Sequence, residues 1–323
     1  MNRYDRQIRL PQVGKQGQER LRQSTVLIVG CGATGTYTAE QLVRAGLGRI
    51  ILVDDDVIEL SNLQRQALFS EADLGQKKVE VAGQKLKQIN SELEITLYSK
   101  NFRELIFDET ARPDLLLDCT DNFLARELIN NYCRQLRIPF ILATAAGTTG
   151  QVMAIQPEIG PCLNCVYPDL TELEKNCETI GVVTPLIPMI SSLQVSLALK
   201  VLINPDFKDW STLLVLDIWS AEIHKFEIPK HCHFCKNGKT VKKQLEKVCG
   251  GVYQVILADF QIDEFEKFCL KKNWSLQKNK LASRTTDITA FSNGRILFYS
   301  DKAEKQFQEL ENFLNENFNS DHF

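Results

Sequence analysis

Short apolar runs separated by amphipathic stretches of helical period dominate the first half of the chain. Thr25-Val26-Leu27-Ile28-Val29 is rich in β-branched residues and stops at glycines, as a strand buried on both faces does. The following residues set Tyr37, Leu42, Val43 and Ala45 on one side of a helix that Gly46 and Gly48 end. Ile50-Ile51-Leu52-Val53 then begins a second strand, completing a βαβ unit. The same alternation predicts helices over 77–89 and 123–136 and strands over 95–98, 115–117 and 140–142. Strands and helices that take turns in this way make a parallel sheet covered on both faces.

Beyond Gly147 the rhythm changes. A strand is predicted over 151–156, a mostly apolar helix over 186–201, and strands over 212–216 and 223–228 close enough to pair antiparallel. A polar, lysine-rich stretch from Lys236 to Lys247 reads as a linker. Two domains are therefore expected, 1–247 and 248–323. In the second, strands over 253–257 and 296–299 flank a helix over 263–271, and an amphipathic helix over 306–318 closes the chain. The fold class expected is α/β and Rossmann-like, a largely parallel sheet becoming mixed, with a small C-terminal α+β domain.

Composition narrows the function. The 323 residues are 44% hydrophobic and 24% charged, enough to bury one large core and a smaller second one. A net charge of −3 without a Lys/Arg cluster gives no field suited to nucleic acid or an anionic membrane. The polar start, Met1-Asn2-Arg3-Tyr4-Asp5-Arg6, lacks the apolar core of a signal peptide, and the apolar stretches carry Pro or charges. The expectation is a cytoplasmic protein with no nucleic-acid or membrane partner.

Candidate chemistry begins where the first strand ends. In Gly30-Cys31-Gly32-Ala33-Thr34-Gly35 the missing side chains let backbone N–H groups and a helix N-terminus approach a phosphate or ribose. Asp54, after the second strand, stands where an acid receives ribose hydroxyls. Its neighbours Asp55 and Asp56 read as a solvated turn. Arg65 falls in the loop segment Asn62-Leu63-Gln64-Arg65-Gln66, where binding residues concentrate. Lys78 opens a helix, a position the helix dipole disfavours for a cation unless an anion compensates, and Lys77 competes with it. Asp121 follows the strand 115–117 at its carboxyl end and is the candidate for magnesium, with Asp118 structural. Two cations and a further acid fit a triphosphate and its metal better than a dinucleotide.

Ten cysteines include two CxxC pairs, Cys162/Cys165 and Cys232/Cys235, the spacing at which two thiolates from one turn bind one zinc. Together they predict a closed four-thiolate structural site, with His231 and His233 as neighbours. Cys119 and Cys133 lie in apolar patterns and read as buried filler. Cys177, beside Lys175 in a polar loop, is a candidate reactive thiol.

The order RYDRQ, GCGATG, Asp54, NLQRQ, GQKK and DCTDN, then two CxxC pairs, resembles the ThiF and MoeB family, bacterial relatives of ubiquitin-activating enzymes. The resemblance runs over nearly the whole chain. It implies ATP- and magnesium-dependent adenylation of the C-terminal glycine of a ubiquitin-like sulfur carrier ending in Gly-Gly, ThiS or MoaD. It further implies that Asp54 holds the ribose and that Asn62, Arg65 and Lys78 hold the phosphates. Asp121 would hold magnesium, and Arg6 would reach the triphosphate from the other subunit of a homodimer. In some members a cysteine at the place of Cys177 bonds to the activated carrier. Residues 249–323 resemble the small C-terminal domain of some bacterial ThiF proteins, with Cys249-Gly250-Gly251-Val252 where the family often has CGRD. Thr34 replaces the family's usual apolar residue in the glycine turn. Sulfur would come from a separate donor such as a cysteine desulfurase or a rhodanese.

Two other readings stay open on sequence: an NAD-dependent oxidoreductase on a similar fold, and a noncatalytic zinc-stabilised scaffold. None of His224, His231, His233 and His322 falls near the nucleotide motifs. A terminal carboxyl group, with a pKa of about 3.5, is already an anion at neutral pH, so its attack on a phosphate needs no general base.

Overall fold

The computed structural model describes residues 3–102, 112–168, 181–232, 242–248, 252–257, 260–278, 282–291 and 295–317. The chain forms two compact units, Met1–Val166 with Asn176–Pro229, and Tyr167–Lys175 with Lys230–Phe323.

In the first unit the order is α1 (Asp5–Ile8), α2 (Gly14–Gln23), β1 (Thr25–Val29), α3 (Ala33–Ala45), β2 (Arg49–Val53), α4 (Lys78–Ile89) and β3 (Glu94–Tyr98). β4 (Leu115–Asp118), α5 (Phe123–Leu136), β5 (Phe140–Ala146), β6 (Thr149–Ile155) and α6 (Leu163–Val166) come next. α7 (Leu186–Ile203), β7 (Thr212–Asp217) and β8 (Glu222–Glu227) complete it. Eight strands form one sheet in the order β3-β2-β1-β4-β5-β6-β7-β8. The pairings from β3 to β5 are parallel, and β5–β6, β6–β7 and β7–β8 are antiparallel. The sheet is thus mixed where the alternation of strand and helix stops.

Every residue of β1 is buried, which is why it reads as an unbroken apolar run. Val26, Ile28, Ile50, Leu52, Leu115 and Leu117 share one core with Leu42 and Val43 of α3. From β1 the chain winds out through β2 and β3, then returns to lay β4 on the other flank of β1. Such a reversal opens a crevice at the carboxyl ends of the strands, the usual ligand position in this architecture.

α7 is long and apolar enough to cross a membrane by length and composition alone. Here it is a core helix packed on α3, β5 and β6, with Leu186, Ile190 and Ala198 fully buried. The polar opening segment, for which no element was expected, forms α1 and α2. Its contacts explain this. Gln7 Nε2 donates to the Ala45 carbonyl at the end of α3 (2.8 Å), and Arg3 donates to the Ile89 carbonyl at the end of α4 (2.7 Å).

The second unit is α+β: β9 (Lys242–Val248), β10 (Val252–Ile256), α8 (Ile262–Lys271), β11 (Gln277–Lys278), β12 (Ala282–Arg284), β13 (Ile288–Phe291), β14 (Arg295–Phe298) and α9 (Ala303–Asn317). Its six strands run in the order β11-β12-β13-β14-β10-β9, each pair antiparallel. Phe265, Phe268, Ile296, Phe298 and Leu310 form its core. The lysine-rich stretch read as a linker ends as β9, paired with β10. The strand is at the sheet's edge, where a sequence need not be apolar throughout.

Candidate nucleotide site

The glycine turn joins β1 to α3 at the mouth of the crevice, and its three glycines differ. Gly30 has φ +93, and a Cβ there would stand 2.6 Å from the Cys119 carbonyl oxygen of the neighbouring strand end. A Cβ on Gly35 would stand 2.0 Å from the Gly30 oxygen. Both glycines are therefore demanded by the chain's own packing. Gly32 is not. A Cβ there would meet nothing nearer than Gln66 Nε2 at 3.7 Å, so the bare backbone leaves room at the N-terminus of α3 for something outside the chain.

Asp54 closes the turn from the end of β2. One carboxylate oxygen accepts the Cys31 backbone N–H (2.6 Å) and the other accepts that of Asp56 (2.9 Å). Burial pushes the Asp54 carboxyl above the usual range, and the Lys78 charge pulls against that. Lys78 is the first residue of α4, 5% exposed, with its ammonium 2.6 Å from the Asp56 carboxylate. Asp56, expected to be a solvated turn residue, is thus the anion that compensates a cation at a helix N-terminus. Lys77 points elsewhere and donates to the Asp55 carbonyl (2.8 Å).

The loop before α4 is held by local hydrogen bonds. Asn62 is buried, and its side chain accepts the Glu59 N–H (3.1 Å). Asn62's carbonyl takes the N–H groups of Arg65 and Gln66 (both 3.1 Å). Arg65 is half-buried and donates to the Ser61 carbonyl (2.8 Å). On the far flank of β1, Asp118 is fully buried, faces Arg126 at 3.4 Å and accepts the Thr120 hydroxyl (2.7 Å). Burial raises its pKa, with Arg126 opposing. Asp121 lies exposed in the turn that follows, a position where a carboxylate can meet a hydrated cation.

Below the crevice lies a buried polar tie that sequence reasoning missed. The Gln194 side chain of α7 accepts the Thr38 hydroxyl of α3 (2.9 Å) and donates to the carbonyls of Asp118 and Ile141 (3.0 Å each). Ser191, one turn earlier, donates to the Thr34 carbonyl (3.2 Å). The signal was available: a glutamine inside an otherwise apolar helix must find partners if it is buried. The Cys119 thiol lies 3.4 Å from the Gln194 carboxamide oxygen, and burial raises the pKa of this thiol and of Cys31.

Arg6 sits apart from these groups in its own chain. It is exposed on α1, whose Gln7 is bonded at the carboxyl end of α3, whereas the glycine turn is at the amino end. A helix of 13 residues separates the two by about 18 Å. Cys162 and Cys165 are both buried around the start of α6, their thiols within 4.8 Å of each other, as two ligands of one zinc must be. Cys232 belongs to the second unit and is half-buried. Cys235 and Cys177 lie outside the described residues.

These features define a doubly wound α/β protein whose switch point carries the glycine turn, Asp54 and Lys78. The ThiF family model matches residues 4–237, and the chain belongs to that family. It is 43% identical to the sulfur carrier protein ThiS adenylyltransferase of Escherichia coli (strain K12), over 62% of this chain and 80% of that one. The sulfur carrier protein adenylyltransferase of Thermus thermophilus is 33% identical over 77% of this chain and 97% of its own. The adenylyltransferase and sulfurtransferase MOCS3 of Sus scrofa is 36% identical over 77% of this chain, which spans only 56% of MOCS3. Among solved structures, E. coli MccB with ATP has the same fold, with a TM-score of 0.63 at 24% identity over 72% of this chain and 73% of MccB.

Proposed function

We propose that this protein uses ATP to adenylate the C-terminal glycine of a ubiquitin-like sulfur carrier ending in Gly-Gly, of ThiS or MoaD type, readying it for thiocarboxylate formation. The observation that carries the reading is the convergence of Gly32 at the N-terminus of α3, Asp54 and Lys78 at the carboxyl ends of β1 and β2. The carrier is proposed from the similarity to sulfur carrier protein adenylyltransferases of E. coli and Thermus thermophilus, each matched over most of its own length. The same convergence, with Arg65 in the loop before α4 and Asp121 in the turn after β4, favours a triphosphate over a nicotinamide dinucleotide.

In the reaction, an oxygen of the carrier's terminal carboxylate attacks the α-phosphorus, and the bond to the bridging oxygen breaks. The products are an acyl adenylate and pyrophosphate. The nucleophile is already ionised, so the obstacles are charge repulsion and misalignment. Gly32 and the α3 N-terminus would receive phosphate, Asp54 the ribose hydroxyls, and Asn62, Arg65 and Lys78 the phosphate oxygens. Asp121, exposed and acceptor-only, fits magnesium, which keeps several waters and would neutralise phosphate charge. Arg6 would serve the site of the second subunit of a homodimer. Cys162 and Cys165, with Cys232 and Cys235, would hold a structural zinc. Cys177 would take up the activated carrier, with sulfur arriving from a cysteine desulfurase or rhodanese.

Pyrophosphate exchange into ATP tests the reading. Exchange should require a carrier with a free Gly-Gly end, and Asp121→Ala should abolish it. Exchange without any carrier, or an Asp121→Ala variant with unchanged magnesium dependence, would refute it.

A further inference from the structure

Gln66 ends the loop motif, and the roles above leave it unused. It is 4% exposed, yet its side-chain Oε1 is buried with no hydrogen-bond partner among the described residues. Its neighbours are tied down: Gln64 donates to the Thr184 hydroxyl (3.0 Å), Arg65 to Ser61, and Asn62 caps its own turn. Gln66 itself is held at the backbone. Its N–H donates to Asn62, its carbonyl accepts from Phe69 (3.2 Å), and the next N–H, of Ala67, donates to the Thr36 hydroxyl of α3 (3.2 Å). A carboxamide is thus fixed beside α3 with its acceptor end unsatisfied, a loss of stability for which the chain's own packing gives no return.

Its other end explains the placement. Nε2 is the atom nearest to where a Cβ of residue 32 would lie, at 3.7 Å, so the amide presents a donor beside the one glycine of the turn that the fold does not require. The N-terminus of α3 favours an anion at the same point. We infer that Gln66 is a positioning residue for the nucleotide, its Nε2 donating to a phosphate oxygen seated over Gly32. This rests on the nucleotide reading of the site. It also accounts for the orphaned Oε1: turning the amide would bury the donor and offer an acceptor to an anion.

The inference separates ligand binding from folding by sign. Gln66→Leu removes the buried orphan and the donor together. The ligand-free variant should melt at or above the wild-type temperature, and it should bind a nonhydrolysable ATP analogue roughly tenfold more weakly, since a hydrogen bond to a charged group is lost. Adenosine, without phosphates, should bind both proteins equally. Gln66→Glu, of the same shape but carrying negative charge, should bind the analogue more weakly still. Equal analogue affinity in wild type and Gln66→Leu overturns the inference. So does an equal loss for adenosine, or a fall of several degrees in the ligand-free melting temperature of both variants. If the wild-type protein binds no ATP analogue, the nucleotide reading itself fails; if it binds and only the variants are indifferent, this inference alone falls.

Discussion

The Lys78 ammonium and the Asp56 carboxylate form an ion pair of 2.6 Å in which the lysine side chain is 6% exposed and the aspartate 64%. The pair resolves a local conflict, a cation at the amino end of α4, and it holds the Lys78 ammonium where its charge also acts on Asp54. Replacing Asp56 by Asn should leave a nearly buried cation without its counter-charge. Because Asp56 is largely in water, the cost should be about 1–2 kcal/mol, well below that of breaking a fully buried pair. Denaturant unfolding of the ligand-free variant checks this, and an ATP analogue in excess should recover most of the loss by supplying the missing anion. No loss of stability would mean that Lys78 does not depend on Asp56.

Gly35 and Gly32 should respond in opposite ways to the same substitution. Gly35→Ala drives a Cβ into the Gly30 carbonyl and should unfold the turn or cost about 3 kcal/mol or more. Gly32→Ala finds space and should keep most of the stability while weakening nucleotide binding. Thermal melts with and without an ATP analogue read both effects. Equal destabilisation by the two would contradict the distinction.

Arg6 and Asp121 should complement each other across subunits. Arg6→Ala and Asp121→Ala are each expected to be inactive, and a mixture allowed to exchange subunits should regain roughly a quarter of wild-type activity, because half the dimers would be mixed with one intact site of two. The separation of α1 from the glycine turn by the length of α3 motivates the test. An inactive mixture in which mixed dimers are shown to form would remove Arg6 from the site.

One zinc per chain is expected in protein purified without chelator. Cys162→Ala should lower folding stability before it affects adenylation, since a closed thiolate site acts through structure. Elemental analysis finding no zinc would end that assignment.

The sequence by itself determined the elements whose burial is uniform or periodic. β1, β2, α5 and α7 were legible because a strand buried on both faces must be apolar throughout and a core helix must be apolar on most of its surface. The glycine turn, Asp54 and Lys78 were legible because a backbone that approaches a ligand needs fixed residue types at fixed offsets. Tertiary structure alone decided the rest. α1 and β9 are polar segments held by partners that no local period records, Gln7 by Ala45 far along the chain and β9 by cross-strand pairing with β10. Only packing could distinguish Gly32 from Gly30 and Gly35, because three identical residues differ solely in what stands opposite their missing side chains. The partners of Lys78, Gln194 and Gln66 were likewise undetermined until the fold brought Asp56, α3 and the glycine turn to them, since hydrogen bonds and ion pairs depend on distances in space that sequence spacing does not carry.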